Sequence, residues 1–260
     1  MPPVVYTLIK DLGLHQQYYT IKVRIIKLWK QHEAFIPFET ISPHMILTDE
    51  EGTKIQAHVQ KMLFPYFQEF LCFAHEGLAV YIKQSTVTEN HARFFIVDNP
   101  LKIIFNNNIE IEQCIQFSGP TNAFKFAEFN SIFSHSLQPN LLIDVISDLL
   151  MCGPVQPEHR NRMMNIQIKD LQGKIINVTL WNSFADQMDK FIANQVPGIR
   201  VIVILQFASL TYIRGRPNVS NYFGVSKLFL NNDIEEIKEF YYNIEVQELQ
   251  EKFGKVMKTD

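Results

Sequence analysis

Cysteine is scarce in this chain. Cys72, Cys114 and Cys152 are far apart and odd in number, which excludes a disulfide framework, and without a CxxC pair nothing seeds a zinc site. The histidines are scattered with no HxxxH or HExxH spacing, and neither a GxxxxGKS/T nor a GxGxxG phosphate loop occurs. Asp49, Glu50 and Glu51 adjoin in what reads as a solvated turn. An enzyme is therefore not expected, and no cofactor or metal is implied. No stretch approaches the roughly 18 uninterrupted apolar residues that span a bilayer. The opening MPPVVYTLIKDL lacks the charged-then-apolar layout of a secretory signal, so a soluble, intracellular protein without membrane contact is expected.

Excess positive charge is absent too. The net charge of −3 excludes a polyanion binder that works by bulk electrostatics alone, but the average hides a gradient. Residues 1–122 carry 10 basic and 12 acidic side chains, residues 123–232 carry 10 and 7, and residues 233–260 carry 4 and 8. Any anion-binding surface is thus expected to be local, and the middle-to-late segment is its better site.

What is abundant is strand periodicity. IKVRIIKLW (21–29), HMILTDEEGTKIQAHV (44–59), LAVYIKQSTV (78–87) and RFFIVD (93–98) alternate β-branched or aromatic residues with polar ones around turns such as DEEG. One helical stretch interrupts them, KMLFPYFQEFLC, with Leu63, Phe67, Phe70 and Leu71 on one face and Pro65 suited to the first turn. The second half repeats this order. Asp49 and Asp170, Gly52 and Gly173, Phe70 and Phe191, Gly77 and Gly198, and Val80 and Val201 all stand 121 residues apart. Such a tandem repeat of a helix-interrupted strand pattern predicts an all-β chain: two five-stranded Greek-key OB barrels, each with a helix between strands 3 and 4. The expected organisation is a first barrel at 5–113, a connector at 114–135, a second barrel at 136–234 and a helical tail at 235–260. In the tail, Phe240, Tyr241, Ile244 and Leu249 form an apolar set that either caps the second barrel or docks on a partner.

The stretch from Asp170 to Phe191, DLQGKIINVTLWNSFADQMDKF, resembles the second central DNA-binding domain of the replication protein A large-subunit family. YTLIKDL, IKVRIIKLWK and LTDEEGTKIQAHV resemble its plant-type and helitron-associated branch, so the likeness covers nearly the whole chain. The resemblance implies single-stranded DNA lying across each barrel face, with two aromatic side chains per barrel stacking on bases. It assigns the first stacker of the second barrel to Trp181. Read from the residues alone, that position is open equally to a core or rim tryptophan. A stacked base is worth about 1–3 kcal/mol without regard to sequence. The second stacking position falls on Ile213, so either Tyr212 or Arg214 is expected to take its place. Arg160, Arg162, Lys174, Arg214 and Arg216 are expected to contact phosphates.

In the first barrel the family's stacking positions fall near Pro43 and Ile82, and Trp181 maps back to Gln60, so its aromatic face is expected to be missing. A weaker basic track of Lys22, Arg24, Lys27, Lys30, Lys54 and Arg93 remains, with Trp29 and Phe38 bordering a loop. Trp29 either belongs to that loop's clamp or plugs the barrel end. The expected function is sequence-tolerant binding of single-stranded DNA, with RNA not excluded, in replication, repair, recombination or transposition in the nucleus. Other replication or repair proteins are candidate partners of the first barrel or the C-terminal helix. The alternative is an OB-fold protein-interaction module with little or no nucleic-acid binding. The zinc-containing third barrel of the full family subunit has no cysteine cluster to form it here, and zinc is not expected.

Overall fold

The computed structural model describes residues 4–14, 18–32 and 41–256; Phe38 lies outside them. The chain divides between Phe124 and Lys125 into two compact units.

In the first unit, alternation sorts each strand into an inner and an outer face. β1 (Tyr19–His32) sends Ile21, Val23 and Ile25 inward, β2 (Ile41–Thr48) sends Met45 and Leu47, and β3 (Lys54–His58) sends Ile55 and Ala57. Then come α1 (Phe64–Phe73), β4 (Ala79–Glu89), β5 (Leu101–Ile104) and β6 (Glu110–Gln113). β1 pairs with β2, β2 with β3, β3 in parallel with β5, β5 with β4, and β4 back with β1, which closes the barrel. One long strand serves both ends of this circuit: Tyr19 to Arg24 faces β4 and Arg24 to His32 faces β2, with an irregularity between Ile25 and Lys27 where it turns the corner. α1 carries its proline in the first turn and inserts Phe67 and Phe70 into the core.

The second unit repeats the circuit. β7 (Ile143–Cys152), β9 (Asn161–Lys169), β10 (Ile175–Trp181), α3 (Ser183–Ala193), β11 (Ile202–Ile213) and β12 (Arg216–Asn221) take the same places. β10 and β12 are the parallel pair, and β11 closes on β7. A short strand, β8 (Gln156–Glu158), extends the loop after β7, and β13 (Lys227–Leu230) pairs with β11. Each unit is thus an OB barrel with a helix between its third and fourth strands.

The 121-residue offset has a physical basis at the β2–β3 and β9–β10 turns. Buried Asp49 accepts backbone N–H bonds from Glu51 and Thr53, and buried Asp170 accepts one from Lys174, while Gly52 (φ 84) and Gly173 (φ 79) supply the left-handed residue each turn requires. Beyond the helix the offset grows to 123. Leu78 and Val201 are the carbonyls bonded by Ile25 and Leu149, and Gln84 and Phe207, both at φ 54, are the irregular residues of the fourth strands. Val201 therefore matches Leu78, not Val80, because the second unit has two more residues after its helix.

Two further readings are corrected or refined. RFFIVD is not a strand: residues 90–100 form an irregular loop, closed by a bond from Asn90 N–H to Pro100 O, and the fifth strand is Leu101–Ile104. Its apolar Ile96 and Val97 are buried without pairing as a strand, which is why periodicity misled. The stretch 114–135 splits between the units. Thr7 bridges Ile21 in parallel and is followed by a single 3-10 turn, Ile9–Asp11; Phe126 bridges Asp144 in parallel and is followed by α2 (Phe129–Phe133). Residues 125–135 are thus the second barrel's counterpart of the first barrel's leading segment. The tail forms α4 (Glu235–Val256), which buries Ile237, Phe240 and Ile244 against the second barrel and leaves Tyr241 and Leu249 exposed.

Asp49 also accepts the N–H of Ile9, whereas Asp170 Oδ2 has no hydrogen-bond partner. Asp49→Ala should therefore destabilise the first barrel by about 2–3 kcal/mol, more than Asp170→Ala destabilises the second. The two tryptophans fall one to each barrel, so denaturant melts followed by fluorescence of Trp181→Phe and Trp29→Phe chains read the barrels separately. Equal losses would contradict this ranking.

Candidate nucleic-acid interface

In the second barrel, Met164, Ile166 and Ile168 of β9, Ile176, Val178 and Leu180 of β10, and Val219 of β12 fill the core. Their alternates necessarily face out, and strand register sets them in rows. One row runs Thr211, Asn218, Asn177, Gln167, and the next Ser209, Ser220, Thr179, Asn165. Both rows consist of amides and hydroxyls without a charge. Gln167 Nε2 donates to Asn177 Oδ1 at 3.1 Å, and Thr179 Oγ1 lies 3.1 Å from Asn165 Oδ1 and 3.4 Å from Asn218 Oδ1. Sequence reading missed this lattice because alternating Asn, Gln, Thr and Ser resemble any solvated strand face until register aligns four strands.

Trp181 ends β10 beyond the second row, opposite Met163. Its N–H donates to Asn221 Oδ1 at 2.6 Å, and its side chain is half-buried. Asn182 follows at φ 53, a conformation asparagine tolerates better than most residues, and breaks the strand into α3. Asn182 exchanges backbone and side-chain bonds with Arg162 and Asn161, so the tryptophan's strand end is tied to the β8–β9 hairpin. Arg160 is exposed at that hairpin's tip, and Arg162 pairs with Asp186 of α3 at 2.8 Å.

The opposite end carries the other cations. Arg214 (φ 52) and Gly215 (φ 76) form the two-residue turn between β11 and β12, and Arg214 and Arg216 are both exposed. Ile213 sits opposite Arg216 and is 59% exposed. Lys174 Nζ lies 5.4 Å from the Phe133 ring centroid. Tyr212 does not stand beside Trp181: its hydroxyl donates to Ile132 O at 2.7 Å and its ring stacks on His135 with centroids 3.9 Å apart. Because β10 and β12 run parallel, the Arg214–Arg216 turn lies at the Ile175 end of the face. Six residues of strand separate that end from Trp181, about 20 Å. The predicted residues thus form two groups, Trp181 with Arg160 and Arg162, and Arg214 and Arg216 with Lys174, joined by the uncharged rows.

The first barrel is different. Arg24 Nη1 donates to the carbonyls of Gly119 and Pro120 at 3.0 Å each, and its guanidinium lies 4.5 Å from the Phe117 ring centroid. Lys54 Nζ donates to Ala123 O at 2.8 Å. Lys22 pairs with Glu50, which also accepts from Tyr6 and from Ser118. A Cβ on Gly119 would lie 2.6 Å from Glu50 Cα, so only glycine permits this approach. Residues 117–123 therefore occupy the basic track, and Lys27 is taken by Glu76 at 3.2 Å. Lys22, Arg24, Lys27 and Lys54 are intrachain contacts here, while Lys30 and Arg93 are exposed.

Nor is this face without aromatics. Trp29, His44 and His58 are cross-strand neighbours stacked in a row, with centroids 5.4 and 5.2 Å apart. Trp29 is buried, so it neither clamps the loop in the open nor stands alone. Burial, the neighbouring His58 and Lys102 push His44 down to about 4, and burial and Lys102 lower His58, so both rings are neutral near pH 7. Burial works to raise the Glu50 carboxyl, but hydrogen bonds from Lys22, Ser118 and Tyr6 hold it at about 2.

Among the described residues no group of three or more His, Cys, Asp or Glu side chains is placed to hold a metal, and no helix is long and apolar enough to cross a membrane. The fold and its outward faces define a tandem OB-fold protein. Residues 10–135 match the family model described as "Domain of unknown function DUF223". The chain is 26% identical over 207 residues to a replication protein A 70 kDa DNA-binding subunit of Arabidopsis thaliana, covering 75% of this chain and 33% of that protein. It is 22% identical over 200 residues to the 70 kDa DNA-binding subunit of the same name from Oryza sativa subsp. japonica, covering 73% and 29%. A solved replication protein A heterotrimer bound to ssDNA matches with a TM-score of 0.58 and 20% identity, over 91% of this chain and 54% of that one. The chain belongs to a replication protein A-like family. It spans about a third of the length of the curated relatives it matches.

Arg24→Ala should destabilise the first barrel by about 2 kcal/mol, since it frees two carbonyls and a ring, while leaving single-strand affinity within twofold; a several-fold loss of affinity with an intact barrel would mean the 117–123 segment lifts off. On acidification, the neutral state of His44 contributes stability that is complete above pH 6.5 and lost as pH falls toward about 4, amounting to about 3 kcal/mol for this residue. Glu50 adds a second loss between 4.5 and about 2. Melting of a Trp181→Phe chain across this range should show the first window, and His44→Asn should flatten it.

Proposed function

We propose that the chain binds single-stranded nucleic acid, DNA by its likeness to replication protein A subunits, and performs no chemistry on it. The observation that carries this is the continuous outer face of β9, β10 and β12, which has Trp181, Arg160 and Arg162 at one end and Lys174, Arg214 and Arg216 at the other. Trp181 stacks on a base and the arginines meet phosphates, terms that tolerate any sequence. The second barrel dominates, because residues 117–123 already engage Lys22, Arg24 and Lys54 of the first. Lys30 and Arg93 are what its basic track can still offer. Tyr212 acts as an anchor for α2, which leaves Arg214 as the support at the hairpin. The role is protection or presentation of exposed strands in nuclear replication, repair, recombination or transposition.

A second reading, a protein-docking module, is favoured by one feature. An apolar recess of about 790 Å³ in the first barrel is lined by Leu28, Trp29, Pro43, Phe64 and Leu71. Salt separates the two readings. Fluorescence anisotropy with a labelled oligo-dT and its duplex should show single-strand binding that weakens steeply as salt rises and falls on the order of tenfold in Trp181→Ala. No binding at low salt would refute the nucleic-acid reading and favour docking.

A further inference from the structure

We propose that the two uncharged rows of the second barrel read base edges, and that they favour bases bearing a carbonyl oxygen over adenine, which has none. This rests on the single-strand reading above. Strand affinity from phosphate contact alone would be served by cations across the face, as β1 of the first barrel carries Lys22 and Arg24. Here the middle of the face holds only amides and hydroxyls, while the cations stand at its ends.

The internal bonds of the lattice set its polarity. Gln167 donates to the oxygen of Asn177, and the Thr179 hydroxyl is shared between the oxygens of Asn165 and Asn218. All three asparagine oxygens are engaged, so their NH2 groups are what the face presents. Asn165 and Asn177 are exposed and Asn218 is half-buried. A surface of amide donors complements carbonyl oxygens of thymine, cytosine and guanine and meets the exocyclic NH2 of adenine donor to donor. Adjacent rows lie two residues apart along the strand, about 7 Å, which leaves each row one unstacked base to address. The bonds among Gln167, Asn177, Thr179, Asn165 and Asn218 hold the amides in place, so the donors need little reordering when a strand arrives.

The test compares affinities of the full chain for labelled oligo-dT and oligo-dA of equal length, in the parent and in the double variant Asn165→Ala with Asn177→Ala. Both positions are exposed, and a melting curve confirms folding. The parent should favour oligo-dT by about tenfold, and the variant should bring the ratio to within about twofold, mainly by weakening oligo-dT. Trp181→Ala should weaken both and leave the ratio alone. Because the self-stacking of oligo-dA is a property of the ligand, it cancels when ratios are compared. A parent ratio near one, or a ratio the double variant does not change, overturns the proposal while leaving single-strand binding intact; absence of binding to either oligonucleotide removes the reading beneath it.

Discussion

The parallel pairing of β10 with β12 is the contact on which the candidate face depends. It joins strands separated by a helix and the long β11, and it sets Asn177 beside Asn218 and Thr179 beside Ser220. Without it the outward residues of β9 and β10 would form a hairpin surface two strands wide, and Arg216 would have no fixed relation to Trp181. The first barrel makes the same joint between β3 and β5, at Gln56 to His58 against Lys102 to Ile104. In both, closure leaves no strand edge unpaired around the circuit and converts alternation along each strand into rows across several.

One scaffold carries two different surfaces. Where the first barrel has cations on its opening strand, it also has a segment of its own chain whose carbonyls and phenylalanine ring satisfy them. Where the second has amides, no such segment is seen among the described residues. The contrast follows from chemistry: half-buried guanidinium and ammonium groups need acceptors, and a packed connector supplies them, whereas amides and hydroxyls satisfy one another in pairs and leave donors over. The stacked row of Trp29, His44 and His58 adds an uncharged patch to the first face, since burial keeps both imidazoles neutral.

Much of this architecture was legible in the linear chain. Alternation named the inner residues of β1, β3, β9 and β10, the proline placed the start of α1, and the paired Asp and Gly positions exposed the repeat, because a tight turn with a left-handed residue tolerates few alternatives. Trp181 was singled out at the end of its strand for the same reason. RFFIVD misled because burial without pairing leaves the same apolar signature as a strand, and Tyr212 misled because its bond to Ile132 joins residues 80 apart.

What the sequence by itself determined, then, is the set of local choices: which residues alternate, where turns and helices interrupt, and which tryptophan closes a strand. Tertiary structure alone decided which polar residues became neighbours. Lys22, Arg24 and Lys54 looked like an open track, and only folding brought Gly119, Pro120 and Ala123 onto them from about 70 to 95 residues away. The amide rows arose in the same manner, from four strands that meet through a closed barrel. Local pattern reflects the steric preferences of each residue with its near neighbours, whereas the partners of a polar side chain are set by register and closure, which no short stretch of chain encodes.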